Sequence, residues 1–185
     1  MIDHARAQSA VRELLIALGQ DPDREGLLDT PARVARAWAE MLSGDDGKAD
    51  EILARTFDAD GFDQIVALSD IPFYSTCEHH MLPFFGRCHV GYIATNKVLG
   101  ASKLARITNC FARRLQIQER LTVEIADALQ RELQPRGVAV VIRASHACMT
   151  TRGVHVHGSA MLTRRLLGAF EREPWRSDIL ASLSA

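Results

Sequence analysis

Residues 63–75, DQIVALSDIPFYS, and residues 86–95, GRCHVGYIAT, are the stretches on which the fold turns. Both are rich in Val, Ile, Phe and Tyr, side chains that suit a pleated, half-buried surface, so they predict two strands. Downstream the period changes. Residues 102–114 and 117–133 carry apolar side chains at helical spacing, and Pro135-Arg136-Gly137 stops the second run. Val138-Ala139-Val140-Val141-Ile142 predicts a strand, and residues 153–170 another. From residue 63 the order is strand, strand, helix, helix, strand, strand. That is an α+β layout, an antiparallel sheet with helices on one face.

Upstream the chain reads as helical. Residues 4–18 place Ala7, Val11, Leu14, Leu15 and Leu18 at helical spacing, and Gly19 follows as a stop. Thr30-Pro31 predicts a helix with threonine as N-cap and proline at its first position, running through Val34 and Trp38 to Met41. A short third helix is expected near 48–56. The expected division is an N-terminal helical region, 1–60, and an α+β domain, 61–185.

The 185 residues are 47% hydrophobic and 24% charged, which fits an ordinary globular chain. A net charge of −1 argues against a general nucleic-acid binder, which needs a basic face. No segment approaches the length of a membrane span, and the start, Met1-Ile2-Asp3-His4-Ala5-Arg6, lacks a long apolar run. The expected compartment is a reducing cytoplasm, where cysteines serve metals or packing more often than disulfides.

The loop between the first two predicted strands carries the chemistry. In Ser75-Thr76-Cys77-Glu78-His79-His80, Cys77 and His80 stand three apart and can reach one metal ion. Cys148, in Ser145-His146-Ala147-Cys148-Met149, offers a second thiolate. Two thiolates and one imidazole make a three-ligand zinc site, the catalytic kind, which leaves a position for water. A Cys77–Cys148 disulfide and simple burial of the thiols are the competing readings. His79 and His146 stand beside the donors as proton carriers. His146 and Cys148 are two apart at an expected strand end, so they should share a face. A hydrogen-bonded core histidine is the alternative for His146.

A second group of residues suits a phosphorylated purine. Leu99-Gly100-Ala101-Ser102-Lys103-Leu104-Ala105-Arg106 follows a strand and opens a helix, which Ser102 can cap. Helix N-termini favour anions, and Lys103 and Arg106 share a face. Arg152 brings a cation near Cys148. Glu119 opens the next helix. It either offsets the helix dipole or accepts the two-donor edge of a guanine.

Together these residues resemble the GTP cyclohydrolase I family. The matching segments are Glu25 to Val34, Ser75 to His80, Gly100 to Ile107, Gln118 to Thr122, His146 to Met149 and Arg152 to Val154. They lie in the family's order and cover nearly the whole chain. The resemblance implies the tunnelling fold, whose strand-strand-helix-helix-strand-strand units close into a barrel on oligomerisation. It further implies a homodecamer of two pentamers with active sites between subunits. The implied reaction turns GTP and water into 7,8-dihydroneopterin triphosphate and formate, opening folate or pterin biosynthesis. Cys77, His80 and Cys148 match the zinc ligands, and His79 and His146 the proton carriers. Glu119, with Gln118 beside it, matches the guanine site. Ser102, Lys103, Arg106 and Arg152 match triphosphate contacts, and Arg33 adds one from a neighbouring subunit.

Two departures from the family pattern stand out. Ala101 replaces a bulky aliphatic residue, and Arg164-Arg165 interrupts a Thr/Ser-rich run. Two other readings remain. A nitrile reductase of the same fold would use a cysteine nucleophile and no zinc. A non-catalytic paralogue would keep the fold as a binding or assembly protein.

Overall fold

The computed structural model describes residues 2–184, which divide into two compact units on either side of the Ser43–Gly44 boundary. In the first unit, α1 (His4–Ala17) starts at Asp3, whose carboxylate accepts the Arg6 backbone N–H at 3.0 Å. That satisfies one of the unpaired donors of the first turn. Gly19 then ends the run at φ +74°, a left-handed conformation that glycine adopts without cost. α2 (Thr30–Met41) begins one residue earlier than expected. Thr30 is its first helical residue and Pro31 its second, and Asp29 precedes it without a side-chain cap. Asp29 instead pairs with Arg33 at 3.0 Å. α1 packs on α2, leaving Leu14, Ile16 and Leu18 exposed.

The second unit is built on a five-stranded sheet. A short α3 (Ala49–Ala54) leads into β1 (Thr56–Asp58), then β2 (Ile65–Cys77) and β3 (Pro83–Ile93). β4 (Lys97–Leu99) pairs with β1 in a two-stranded ribbon. Next come α4 (Ala101–Ala112), β5 (Leu115–Gln116) and α5 (Gln118–Leu133). The chain ends with β6 (Gly137–His146), α6 (Ala147–Thr150), β7 (Met161–Gly168) and α7 (Trp175–Ser184). The sheet order is β5-β2-β3-β6-β7. All pairs are antiparallel except β2–β5, so the expected α+β class and mixed helix-sheet architecture hold.

Alternation along the strands sorts the two faces of the sheet. Phe84, Val90 and Tyr92 of β3, and Val138, Val140 and Ile142 of β6, face α4 and α5. α4 answers with Leu104, Ile107 and Phe111, and α5 with Leu121, Ile125 and Leu129, the period of a helix buried on one side. Each such side chain contributes about 1.5–3 kcal/mol of burial. Cys88 sits in this core, its thiol pushed up to about 12 by burial, and acts as a small hydrophobe.

Three differences from expectation have physical causes. The last strand is shorter than 153–170. It starts at Met161, because 151–160 form turns with Gly153, Gly158 and His155 at positive φ. Second, α7 escaped the sequence reading. It covers the opposite face of the sheet through Ile179 and Leu183, which meet Ile93, Ala139 and Phe170. Third, β2 is bulged between Leu68 and Ile71, where Asp70 adopts φ +57°. The bulge re-aims the strand before it reaches the cysteine–histidine loop.

Candidate active site

Cys77 is the last residue of β2 and is 5% exposed. The turn that follows is closed by two backbone hydrogen bonds, Cys77 N–H to Leu82 O and Met81 N–H to Cys77 O, both 2.8 Å. The turn is also tied to the α4–α5 connection. Glu78 donates its backbone N–H to Gln116 O at 3.0 Å, and its carboxylate pairs with Arg120. Arg120 in turn donates to Gln116 Oε1 at 2.9 Å and to Leu115 O at 3.0 Å. The Arg120 hydrogen bond holds the Glu78 carboxyl below the usual carboxylate range.

Cys148 reaches the same place from two strands away, on the single turn α6 that follows β6. The Cys77 and Cys148 thiols and the His80 imidazole lie with their ligand atoms all within 4.8 Å of one another. Zinc bonds sulfur at about 2.3 Å and nitrogen at about 2.0–2.1 Å, so a tetrahedral ion needs only a small contraction of this group. Burial and the neighbouring Cys77 raise the Cys148 thiol, and the Arg152 charge opposes them. A divalent cation would reverse that balance. The donor chemistry and spacing fit zinc. The alternative Cys77–Cys148 disulfide is not formed.

His79 is exposed, with Nδ1 4.0 Å from Cys77 Sγ and its ring edge-on to His80 at 6.3 Å. His146 is the last residue of β6. It was expected to share a strand face with Cys148, but that argument does not apply, because Cys148 lies on the helical turn. His146 instead stacks on its cross-strand partner Phe84, with centroids 4.7 Å apart and planes at 2°. Its Nε2 lies 2.9 Å from Gln118 Oε1. Burial holds the imidazole below its ordinary range, partly offset by the charge of Glu119. Glu119 therefore lies within electrostatic reach of His146, exposed on the first turn of α5.

The remaining expected contacts are more dispersed. Ser102, Lys103 and Arg106 occupy the first two turns of α4. The N-cap is Gly100, so Ser102 lies inside the helix and does not cap it. Among the described residues no hydrogen bond or ion pair joins these three to the cysteine–histidine group. Arg33 belongs to the first unit. Ala101 is the exposed first residue of α4, and Arg165 approaches Asp127 only to 3.9 Å. Gln118 is 1% exposed, with its amide in use by protein partners. The sequence reading missed Phe84 and the Glu78–Arg120 tie. The only signal was that Glu78 and Arg120 fall inside the two matching segments.

Comparison with known proteins adds to this geometry. The family profile described as GTP cyclohydrolase I matches residues 7–184. A GTP cyclohydrolase 1 of Mycolicibacterium gilvum is 54% identical over 173 residues, covering 92% of this chain and 85% of its own. That of Thermobifida fusca is 50% identical, covering 95% and 85%. That of Rhodopirellula baltica is 49% identical, covering 99% and 80%.

Proposed function

The chain belongs to the GTP cyclohydrolase I family, and from that premise we propose the chemistry and assembly that follow. The chain is a GTP cyclohydrolase that turns GTP and water into 7,8-dihydroneopterin triphosphate and formate. The observation that carries its site is the group Cys77, His80 and Cys148, with donor atoms within 4.8 Å beside two further histidines. These three residues hold zinc. When bound, zinc lowers the pKa of a water ligand toward neutrality and supplies the nucleophile for purine hydrolysis.

The chain's own groups do the rest. Glu119 accepts the N1–H and amino group of guanine, two donors that a carboxylate matches with two oxygens. This orients the purine and keeps its five-membered ring toward the metal. His146 and His79 give and take protons as the ring opens and formate leaves. Lys103 and Arg106, with Ser102 and Arg152, hold the triphosphate, and Arg33 adds a contact from a neighbouring subunit.

Assembly into a closed barrel is part of this reading. Among the described residues β7 has a strand neighbour on one side only, and β5 covers just Thr76 and Cys77 of β2. Two open sheet edges on one subunit are what strand addition between copies requires. The assembly is a decamer of two pentamers, working in the cytoplasm. No described helix is long and apolar enough to cross a membrane.

Purified protein assayed with GTP tests the reading. Formate release and pterin fluorescence should appear together, with about one zinc per chain by elemental analysis and loss of activity on chelation. Zinc-replete, assembled protein that leaves GTP intact would make the chain a non-catalytic member.

A further inference from the structure

Gln118 is the first residue of α5, and its side chain is buried behind His146. Its Nε2 lies 3.0 Å from Ile142 O, 3.1 Å from Met161 O and 3.0 Å from Thr163 Oγ1. Its Oε1 lies 2.9 Å from His146 Nε2. Which end of the amide faces which neighbour is decided by the partners. Two of the three groups around Nε2 are backbone carbonyls, which only accept. Rotating the amide by half a turn would set Oε1 against both carbonyls and leave buried acceptors unpaired.

The third partner agrees. The Thr122 hydroxyl donates to Gln118 O at 2.8 Å, so its oxygen is free to accept from Thr163 at 2.7 Å. With its own proton spent there, Thr163 Oγ1 accepts from Gln118. Every hydrogen bond in the chain thus has a fixed direction. At its end stands Oε1, an acceptor only, facing a histidine nitrogen. His146 Nε2 must carry a hydrogen to meet it. In the neutral ring Nδ1 is then the nitrogen with a free lone pair. The stack on Phe84 fixes the plane of the same ring.

We propose that Gln118 is a positioning residue that locks His146 in its Nε2–H tautomer, leaving Nδ1 as the nitrogen that exchanges protons with the bound purine. The proposal rests on the role given to His146 above and sharpens it to one atom. It moves Gln118 from a contact of the guanine to the support of a catalytic ring. Groups behind a functional histidine commonly act this way, by fixing tautomer and orientation.

The first test needs no variant. Zinc-loaded wild-type protein with ¹⁵N-labelled histidine is examined by solid-state NMR, and the His146 signals are assigned by their absence in His146→Gln. A protonated Nε2 with an unprotonated Nδ1 in the neutral ring is expected. The opposite tautomer overturns the proposal whether or not the protein turns over GTP, so this readout stands apart from the assignment of activity. The second test is Gln118→Met, which keeps the side chain's length and removes the acceptor. We expect unchanged zinc content, a mixed tautomer at His146, kcat lower by about 10–100-fold and KM for GTP within about threefold. A Gln118→Met enzyme with normal kcat, or one changed only in KM, would return Gln118 to the substrate pocket.

Discussion

Cys77, His80 and Cys148 are the residues on which the proposed chemistry depends, and each supplies one donor atom. Cys148→Ala leaves two protein ligands, too few to hold zinc or to fix the position of its water. Zinc by elemental analysis should fall well below one per chain, and turnover should vanish with it. Glu119→Gln tests the other end of the site. An amide presents one acceptor and one donor to a two-donor edge, and lost hydrogen bonds to charged groups cost about 1.5–3 kcal/mol, roughly 10–100-fold in affinity. KM for GTP should rise by that order while the thermal midpoint stays close to wild type, since Glu119 is exposed. Of the two histidines, His146 had two readings in sequence, proton carrier and hydrogen-bonded core residue. It is hydrogen-bonded and half-buried, and also adjacent to the donor group. The Gln118 network was illegible, because its partners lie 24, 43 and 45 residues away in the chain. No local pattern announces contacts of that range.

At the scale of elements, the three long strands and two long helices from 63 to 146 could be read because their periods are strong and their breakers sharp, whereas β4 and β5, of three and two residues, are too short to show a period. The failures cluster where local signals compete. The turn run 151–160 carries Val154 and Val156, which resemble strand residues, yet glycines and a positive-φ histidine bend it away from the sheet. α7 was overlooked because its apolar residues are only weakly segregated to one face, and only the finished sheet face gives Ile179 and Leu183 something to cover.

Two consequences of the packing can be measured. A Cβ at Gly86 would stand 2.0 Å from Arg143 O, a backbone atom of the paired strand that cannot swing aside. Gly86→Ala should destabilise the protein by about 1–3 kcal/mol, the scale of overpacking, seen as a lowered denaturant midpoint. The Glu78–Arg120 pair ties the metal turn to α5, and its effect depends on pH. The Glu78 carboxyl is depressed by Arg120, so its contribution is present above the usual carboxylate range and is lost as pH falls through the folded value. In metal-free protein, Arg120→Met should lower the thermal midpoint near neutral pH, and the gap to wild type should close on acidification. A gap that persists at acid pH would mean that Arg120 acts through packing alone.

For the molecule as a whole, the open edges of β2 and β7 make a lone chain an incomplete object. If copies join edge to edge in the proposed decamer, light scattering should report a mass near ten times 20.5 kDa. Activity should fall together with mass on dilution, since in that assembly each site would draw on a neighbouring subunit. A monomer with full activity would contradict that assembly.

The pairing of Phe84 with His146 sets His80 and Cys148 just beyond the same end of the β3–β6 ladder. If that ladder slipped by one residue, the buried face would turn outward. A slip of two would keep the faces but carry the segments apart by about 7 Å, at 3.4 Å per residue. That exceeds the 4.8 Å within which the donor atoms now meet. Metal capture at the proposed site would therefore be a form of proofreading: only a chain whose hydrogen-bond ladder closed in the right frame would take up the ion. The metal content of a refolded batch would count its correctly paired molecules.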